Sequence, residues 1–366
     1  MMQYDYTQVV LKDYLTNTEQ VINKLLSKEF SGSARIKFVS DLGFPHDVIR
    51  IAGGFATGVF VDWTTNAPFI PVDTCVNVCS TSFFEVKDDI THLFNDEYFD
   101  LIKRKFAHSI YISNFHRGNH FIAYLNSIID GKKYLLLHSS ANVYKDNFNG
   151  MYPVEGNWYF DKIKVFSDEK TYIRYLDGRD AEVFYLIAKS LYAFNEIRNE
   201  FIAHVILGDF RNDATPLHFH HYGMPTNRSV AMGCHLSERN EIYPILTLPG
   251  ENLYMVKYYR PKDASLMVND RQFLTPHGWG KRHINTPQIR LDLKNNRFIL
   301  DNESYDIKFG TSLRAHPNLE LRDFGTSLET RKENFFNYLS KIYEYEVVNE
   351  FEQIASWNKM GVKIWK

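Results

Sequence analysis

The chain is poor in features that would assign it at once. Its 366 residues hold only three cysteines, Cys75, Cys79 and Cys234. Three thiols make no disulfide framework and fit a reducing compartment, so a cytoplasmic location is expected. No apolar run approaches the roughly 20 residues of a membrane span, and no membrane partner is expected. The opening MMQYDYTQVVLKDYL lacks the basic-then-apolar pattern of a secretory signal. A Walker-type phosphate loop, a GxGxxG turn opening a helix, HExxH and GxSxG are all absent, which leaves nucleotide binding by those routes unsupported. Internal repeats and low-complexity linkers are absent too. A net positive charge is also missing, since the net charge is −2. A nucleic-acid partner would therefore have to be met by a local patch. The best stretch is 257–290, with Lys257, Arg260, Lys262, Arg271, Lys281, Arg282, His283 and Arg290; a solvated loop of mixed charge reads equally well.

What the chain does have is ordinary hydrophobic content, 28 Phe, 23 Tyr and 14 His. The aromatics point to a dense core. Apolar residues at a helical period mark 7–30, 90–107, 179–206 and 327–358. Runs rich in β-formers mark 36–39, 58–61, 69–72, 109–112, 134–137, 158–166, 242–259 and 287–309. The expectation is an α+β fold in one mixed domain spanning 1–366. It has a helical lead-in at 1–33, a core at 34–310 with a central β-sheet and a metal site in a cleft, and a helical segment at 311–366. The candidate site residues flank the 179–206 helix on both sides, so a domain boundary there would split the site.

The histidines form a ladder through His116, His120, His138, His218, His220 and His221 to His277 and His283. Several stand beside small residues that let a metal or phosphate come close to the backbone. His138 ends a strand run. In an extended segment His218 and His220 share a face and His221 points the other way. Asp73, Cys75, Asn77 and Cys79 alternate along an apparent strand and could share a face. Taken singly, each residue reads more simply as a buried small hydrophobe or a surface histidine; taken together they favour a metal site, with a carboxylate shifting the balance toward Mn²⁺. His277 sits in Pro276-His277-Gly278-Trp279-Gly280, followed by Lys281-Arg282. A histidine nitrogen can be a covalent nucleophile, and the two cations favour a nearby phosphate.

In order, Val72-Asp73-Thr74-Cys75, Gly118-Asn119-His120-Phe121, His138-Ser139-Ser140, His220-His221-Tyr222, Pro249-Gly250 and His277-Gly278-Trp279-Gly280-Lys281 resemble the motifs of the RtcB family of RNA-splicing ligases, over roughly 35–285. The resemblance implies a single α+β domain of that type, one or two Mn²⁺ ions (Zn²⁺ as a substitute in vitro) and GTP. It implies a histidine–guanylate intermediate that joins a 2′,3′-cyclic-phosphate or 3′-phosphate RNA end to a 5′-hydroxyl end, in RNA repair or tRNA splicing, by a monomer. Carried over by position, His277 is the nucleophile. Asp73, Cys75, His120, His138 and His220 are metal ligands. Asn119, His221, Lys281 and Lys366 hold the nucleotide, and Arg117 and Arg282 meet RNA phosphate.

The chain departs from the family at Val76, where the bridging cysteine falls. Ala123 replaces a glutamate, and Glu251-Asn252-Leu253 replaces most of the glycine loop. Two other readings stay open. One is a catalytically silent RNA-end binder. The other is a metal-dependent hydrolase or oxygenase using the His218–His221 cluster, with His277 structural.

Overall fold

The computed structural model describes residues 5–107, 115, 119–141, 151–168 and 171–365. The expected strand at 109–112 lies outside them, as do His116, Arg117 and Lys366.

Helix α1 (Tyr6–Glu29) starts where the Asp5 carboxylate accepts the Thr7 N–H, and it buries Leu11, Leu15, Thr18, Val21, Ile22, Leu25 and Leu26 along one stripe. It covers the edge strand β1 (Ser33–Gly43), whose Ala34 exchanges two backbone hydrogen bonds with the Asn23 side chain. The chain continues through α2 (Val48–Ala52), β2 (Thr57–Thr64), β3 (Phe69–Pro71), β4 (Cys79–Val86), α3 (Asp96–Phe106), β5 (Phe121–Ser127) and β6 (Lys133–Ser140). Next come β7 (Lys164–Ser167), β8 (Tyr172–Asp177) and the 30-residue α4 (Gly178–Leu207). Strands β9 (Leu217–His220), β10 (Tyr222–Thr226), β11 (Ser229–Met232), β12 (Cys234–Glu238), β13 (Ile242–Ile245), β14 (Leu253–Pro261), β15 (Gln272–Pro276) and β16 (Lys281–His283) follow. A small three-stranded sheet is made by β17 (Ile289–Asp292), β18 (Arg297–Leu300) and β19 (Glu303–Asp306). The last elements are β20 (Leu319–Leu321), α5 (Leu328–Ser340), β21 (Tyr343–Asn358) and β22 (Gly361–Ile364).

The fold is mixed α/β, as expected, and is built round an eight-stranded sheet. Its path runs β13-β14-β21-β5-β6-β4-β9, with β22 on β21. Every strand pair along that path is antiparallel. The sheet curls until its two edges meet, with Phe219 of β9 and Tyr243 of β13 in ring contact at 5.9 Å. The result is nearly a closed barrel. Phe83, Ala123, Leu125, Leu136, Leu253, Met255 and Phe351 fill the inside. Phe84, Ile122, Tyr124, Leu135, Leu137 and Trp357 face outward against α3 and α4. Both faces are buried, which is why these strands read as continuous apolar runs and not as alternating ones. Truncating Phe351→Ala is expected to cost about 3–5 kcal/mol, read as a lower urea midpoint with an unchanged slope. A loss below about 1 kcal/mol would mean the barrel interior collapses to fill the gap.

The expectation of one long helix at 327–358 is corrected. Ser327 caps α5, which ends at Ser340, and the next stretch is the 16-residue strand β21. Tyr343, Tyr345 and Val347 are aromatic or β-branched at a spacing of two, and pairing with β14 and β5 outweighs any helical spacing. The presumed C-terminal helical segment thus supplies a central strand of the large sheet.

The expected strand through Asp73–Cys79 is also corrected. Val72–Thr74 form one tight helical turn, and Cys75 and Val78 have left-handed φ of 49° and 41°. Each left-handed residue resets the side-chain phase, so Asp73, Cys75 and Cys79 do not share a face.

Candidate metal centre and its histidine

Five chemistry-bearing side chains come from strand ends at one mouth of the barrel. Cys79 opens β4, His120 immediately precedes β5, and His138 lies on β6 in phase with the interior Leu136. His221 immediately follows β9, and His277 immediately follows β15. The backbone of His221 is clamped, its N–H donating to Cys79 O and its carbonyl accepting from the N–H groups of Gly233 and Cys234. Gly233 has φ +79°, and a Cβ there would come within 3.1 Å of the His277 ring, so only glycine fits.

Cys79 Sγ lies 3.3 Å from His138 Nε2, which lies 3.4 Å from His221 Nε2. The three donor atoms fall within 4.8 Å of one another and all three residues are buried. His120 Nε2 is 3.9 Å from the sulfur. His138 Nδ1 donates to Asn119 O at 3.2 Å, which leaves its Nε2 lone pair facing the cluster. These are the donor types and the second hydrogen bond that a transition-metal site needs, and the residues fit one ion.

His277 stacks on His221, with ring centroids 4.9 Å apart and 23° between planes. Its Nδ1 stands 2.6 Å from Oδ2 of Asp41, a carboxylate 2% exposed, while the His277 side chain keeps 14%. The edge of Tyr222 closes the other side at 6.3 Å.

Burial favours the neutral form of the surrounding rings. Burial, then the neighbouring His277, pushes His138 from 6.5 down to about 3. The same two causes push His235 to about 3, and burial with His218 pushes His220 to about 4. His221 lies well below its ordinary value, from burial first and then from His277 and His138. Neutral imidazole is the ligand form. The unfolded chain takes up protons below about pH 6.5, and these folded rings do not until about pH 3–4, so acid favours unfolding. The metal-free protein is expected to lose roughly 1.4 kcal/mol per pH unit per histidine in that window. Thermal melts at stepped pH check this; a flat melting temperature from pH 6.5 to 4 would mean that the folded rings already carry protons.

The remaining residues singled out from sequence lie elsewhere. Asp73 is buried and held by Arg174, whose Nε lies 3.1 and 3.0 Å from its two oxygens. Cys75 is buried beside Arg50, and burial pushes its thiol far up, away from the thiolate. His220 and His218 do share a face, opposite to His221, and that face meets α4. His220 packs on Tyr192 and lies 3.6 Å from Glu196; His218 contacts Ser82 and Glu200. The alternative His218–His221 metal cluster therefore does not assemble, since only His221 joins the mouth. Asn119 meets the cluster through its carbonyl. Lys281 donates to His46 Nδ1 at 3.2 Å, and Arg282 pairs with Glu320. Two arginines of the basic stretch, Arg260 and Arg282, are thus neutralised.

Sequence reasoning missed Asp41 and named Cys75 as the ligand where Cys79 joins the cluster. The only local signal for Asp41 is a carboxylate inside the apolar run Phe38-Val39-Ser40-Asp41-Leu42.

A second donor group, His283, Asp301 and His316, lies away from the mouth. Asp301 Oδ2 is 2.7 Å from His283 Nε2, and the Asn318 N–H donates to His316 Nδ1. A neutral His316 then carries its proton on Nε2 and has no lone pair for a metal. This group reads as a clamp between β16 and the β18–β19 turn.

The fold and site define a mixed α/β protein with a cysteine–histidine centre at the mouth of a nearly closed barrel. No protein-family model and no curated protein matches the chain.

Proposed function

We propose that the protein is a metal-dependent RNA ligase that joins a 2′,3′-cyclic-phosphate or 3′-phosphate end to a 5′-hydroxyl end through a nucleotide carried on His277. The observation that carries this reading is the pairing of two devices at one place. A buried carboxylate stands 2.6 Å from His277 Nδ1, and His277 stacks on a histidine of a cluster able to hold a metal. A proton on Nδ1, the nitrogen beside the Asp41 carboxylate, would leave His277 a lone pair on Nε2. That nitrogen attacks the α-phosphorus of a nucleoside triphosphate, GTP by the family resemblance, and pyrophosphate leaves. A cyclic end is first opened by water, which breaks the P–O2′ bond to leave a 3′-phosphate and a 2′-hydroxyl, and a 3′-phosphate oxygen then takes the nucleotide from His277. The 5′-hydroxyl attacks the activated phosphate and expels the nucleoside monophosphate. A cation bound by Cys79, His138 and His221 would withdraw charge from the phosphate oxygens.

Incubation with a divalent cation and α-labelled GTP, with ATP alongside, tests the reading on a denaturing gel. An acid-labile, alkali-stable label on the wild type supports it, and no label from either nucleotide overturns it. A second reading is a silent RNA-end binder, favoured by the loop at 249–252. A Cβ on Gly250 would meet the Trp365 ring at 2.7 Å, and Glu251 pairs with Arg331 at 2.6 Å, so the chain's own side chains occupy that loop. Sealing of a cyclic-phosphate RNA decides between the two.

A further inference from the structure

We propose that the barrel-mouth site takes a single ion of the zinc class and not the manganese that the resemblance implies. This rests on reading Cys79, His138 and His221 as a metal centre. The donor set carries it. Carboxylate, carbonyl and water oxygens suit Mn²⁺, whereas thiolate with imidazole suits Zn²⁺ and its spectroscopic stand-in Co²⁺. The oxygen ligand expected from sequence was Asp73. Its carboxylate is buried and already spans the Nε and Nη2 atoms of Arg174, so moving it to a metal would strand a guanidinium. Val76, where the family's bridging cysteine falls, has no side-chain donor atom. Among the described residues the group holds one sulfur and two nitrogens, and no oxygen.

The spacing agrees with the chemistry. Two ligands of a tetrahedral zinc ion, bonded at about 2.0–2.3 Å, stand roughly 3.3–3.6 Å apart. Two of the three separations match, at 3.3 Å from sulfur to the His138 nitrogen and 3.4 Å between nitrogens, and the third lies within 4.8 Å. Three such ligands leave one position for a phosphate oxygen. His120, 3.9 Å from the sulfur, is a further imidazole beside it. A second ion would need an oxygen-rich set of its own, and Asp73 no longer supplies it.

The test begins with protein stripped by chelator under reductant, offered equimolar Mn²⁺ and Zn²⁺, desalted and assayed for metal. One zinc per chain with no stoichiometric manganese is expected. Co²⁺ alone is expected to give an intense near-ultraviolet thiolate-to-cobalt band that disappears in Cys79→Ser and persists in Asp73→Asn. Manganese outcompeting zinc, two ions per chain, or loss of the band in a folded Asp73→Asn would overturn the proposal while leaving a metal centre in place. Binding of none of the three metals would overturn the metal centre itself and the proposal with it. The competition uses only the wild type, so a misfolded variant does not rescue the idea.

Discussion

His277→Ala is expected to abolish covalent nucleotide labelling, a loss of at least about 10³-fold, because no other group replaces a nucleophile. The more informative change is Asp41→Asn. Asp41 comes from β1, far in sequence from the Gly-rich turn that carries His277, and its carboxylate stands 2.6 Å from Nδ1. An amide of the same size can present its NH₂ to Nδ1. The imidazole proton then moves to Nε2 and blocks the lone pair. The expected result is a labelling rate down by about 10²–10⁴-fold in a protein whose melting temperature and metal content change little. A single-turnover time course separates this from weaker nucleotide binding, which would shift the half-saturating concentration and leave the rate at saturation. Asp41→Asn at full rate would remove Asp41 from the mechanism. Persistent label in His277→Ala would move the nucleophile elsewhere.

Arg174→Ala is expected to cost about 3–5 kcal/mol of stability, since it leaves the Asp73 carboxylate buried with no cation. Burial, the largest influence on that carboxyl, already raises its pKa, and Arg174 is what pulls it back. Adding Asp73→Asn to Arg174→Ala removes the stranded charge and is expected to recover part of the loss. Urea unfolding of the two single variants and the double variant measures the coupling. A cost below about 1 kcal/mol for Arg174→Ala would mean that water reaches Asp73 and screens the pair.

These two experiments touch the points where sequence and structure part. Within an element, spacing was readable. The period of α1 and α4, the apolar run of β6, the end-of-strand place of His138 and the opposed faces of His220 and His221 all follow from side-chain geometry along a regular backbone. The turn holding His277 was readable as well, from its small residues and its two following cations.

What the sequence could not express is how elements meet. By sequence Cys75 is the expected ligand, whereas Cys79 is the cysteine that joins His138 and His221. The left-handed residues at 75 and 78 decide between them, because each resets the phase of the strand that follows. Asp73 reads as a metal ligand until Arg174, 101 residues later, is folded against it. Asp41 is an unremarked strand carboxylate until β1 is brought beside the turn after β15. The stretch 343–358 has apolar residues that satisfy a helical spacing tolerably, and it becomes strand because β14 and β5 offer it backbone partners on both sides. Local spacing determined which side chains point together along one element. Closure of the barrel decided which of those faces became the mouth, because only pairing between distant strands brings Cys79, His138, His221 and His277 within reach of one another.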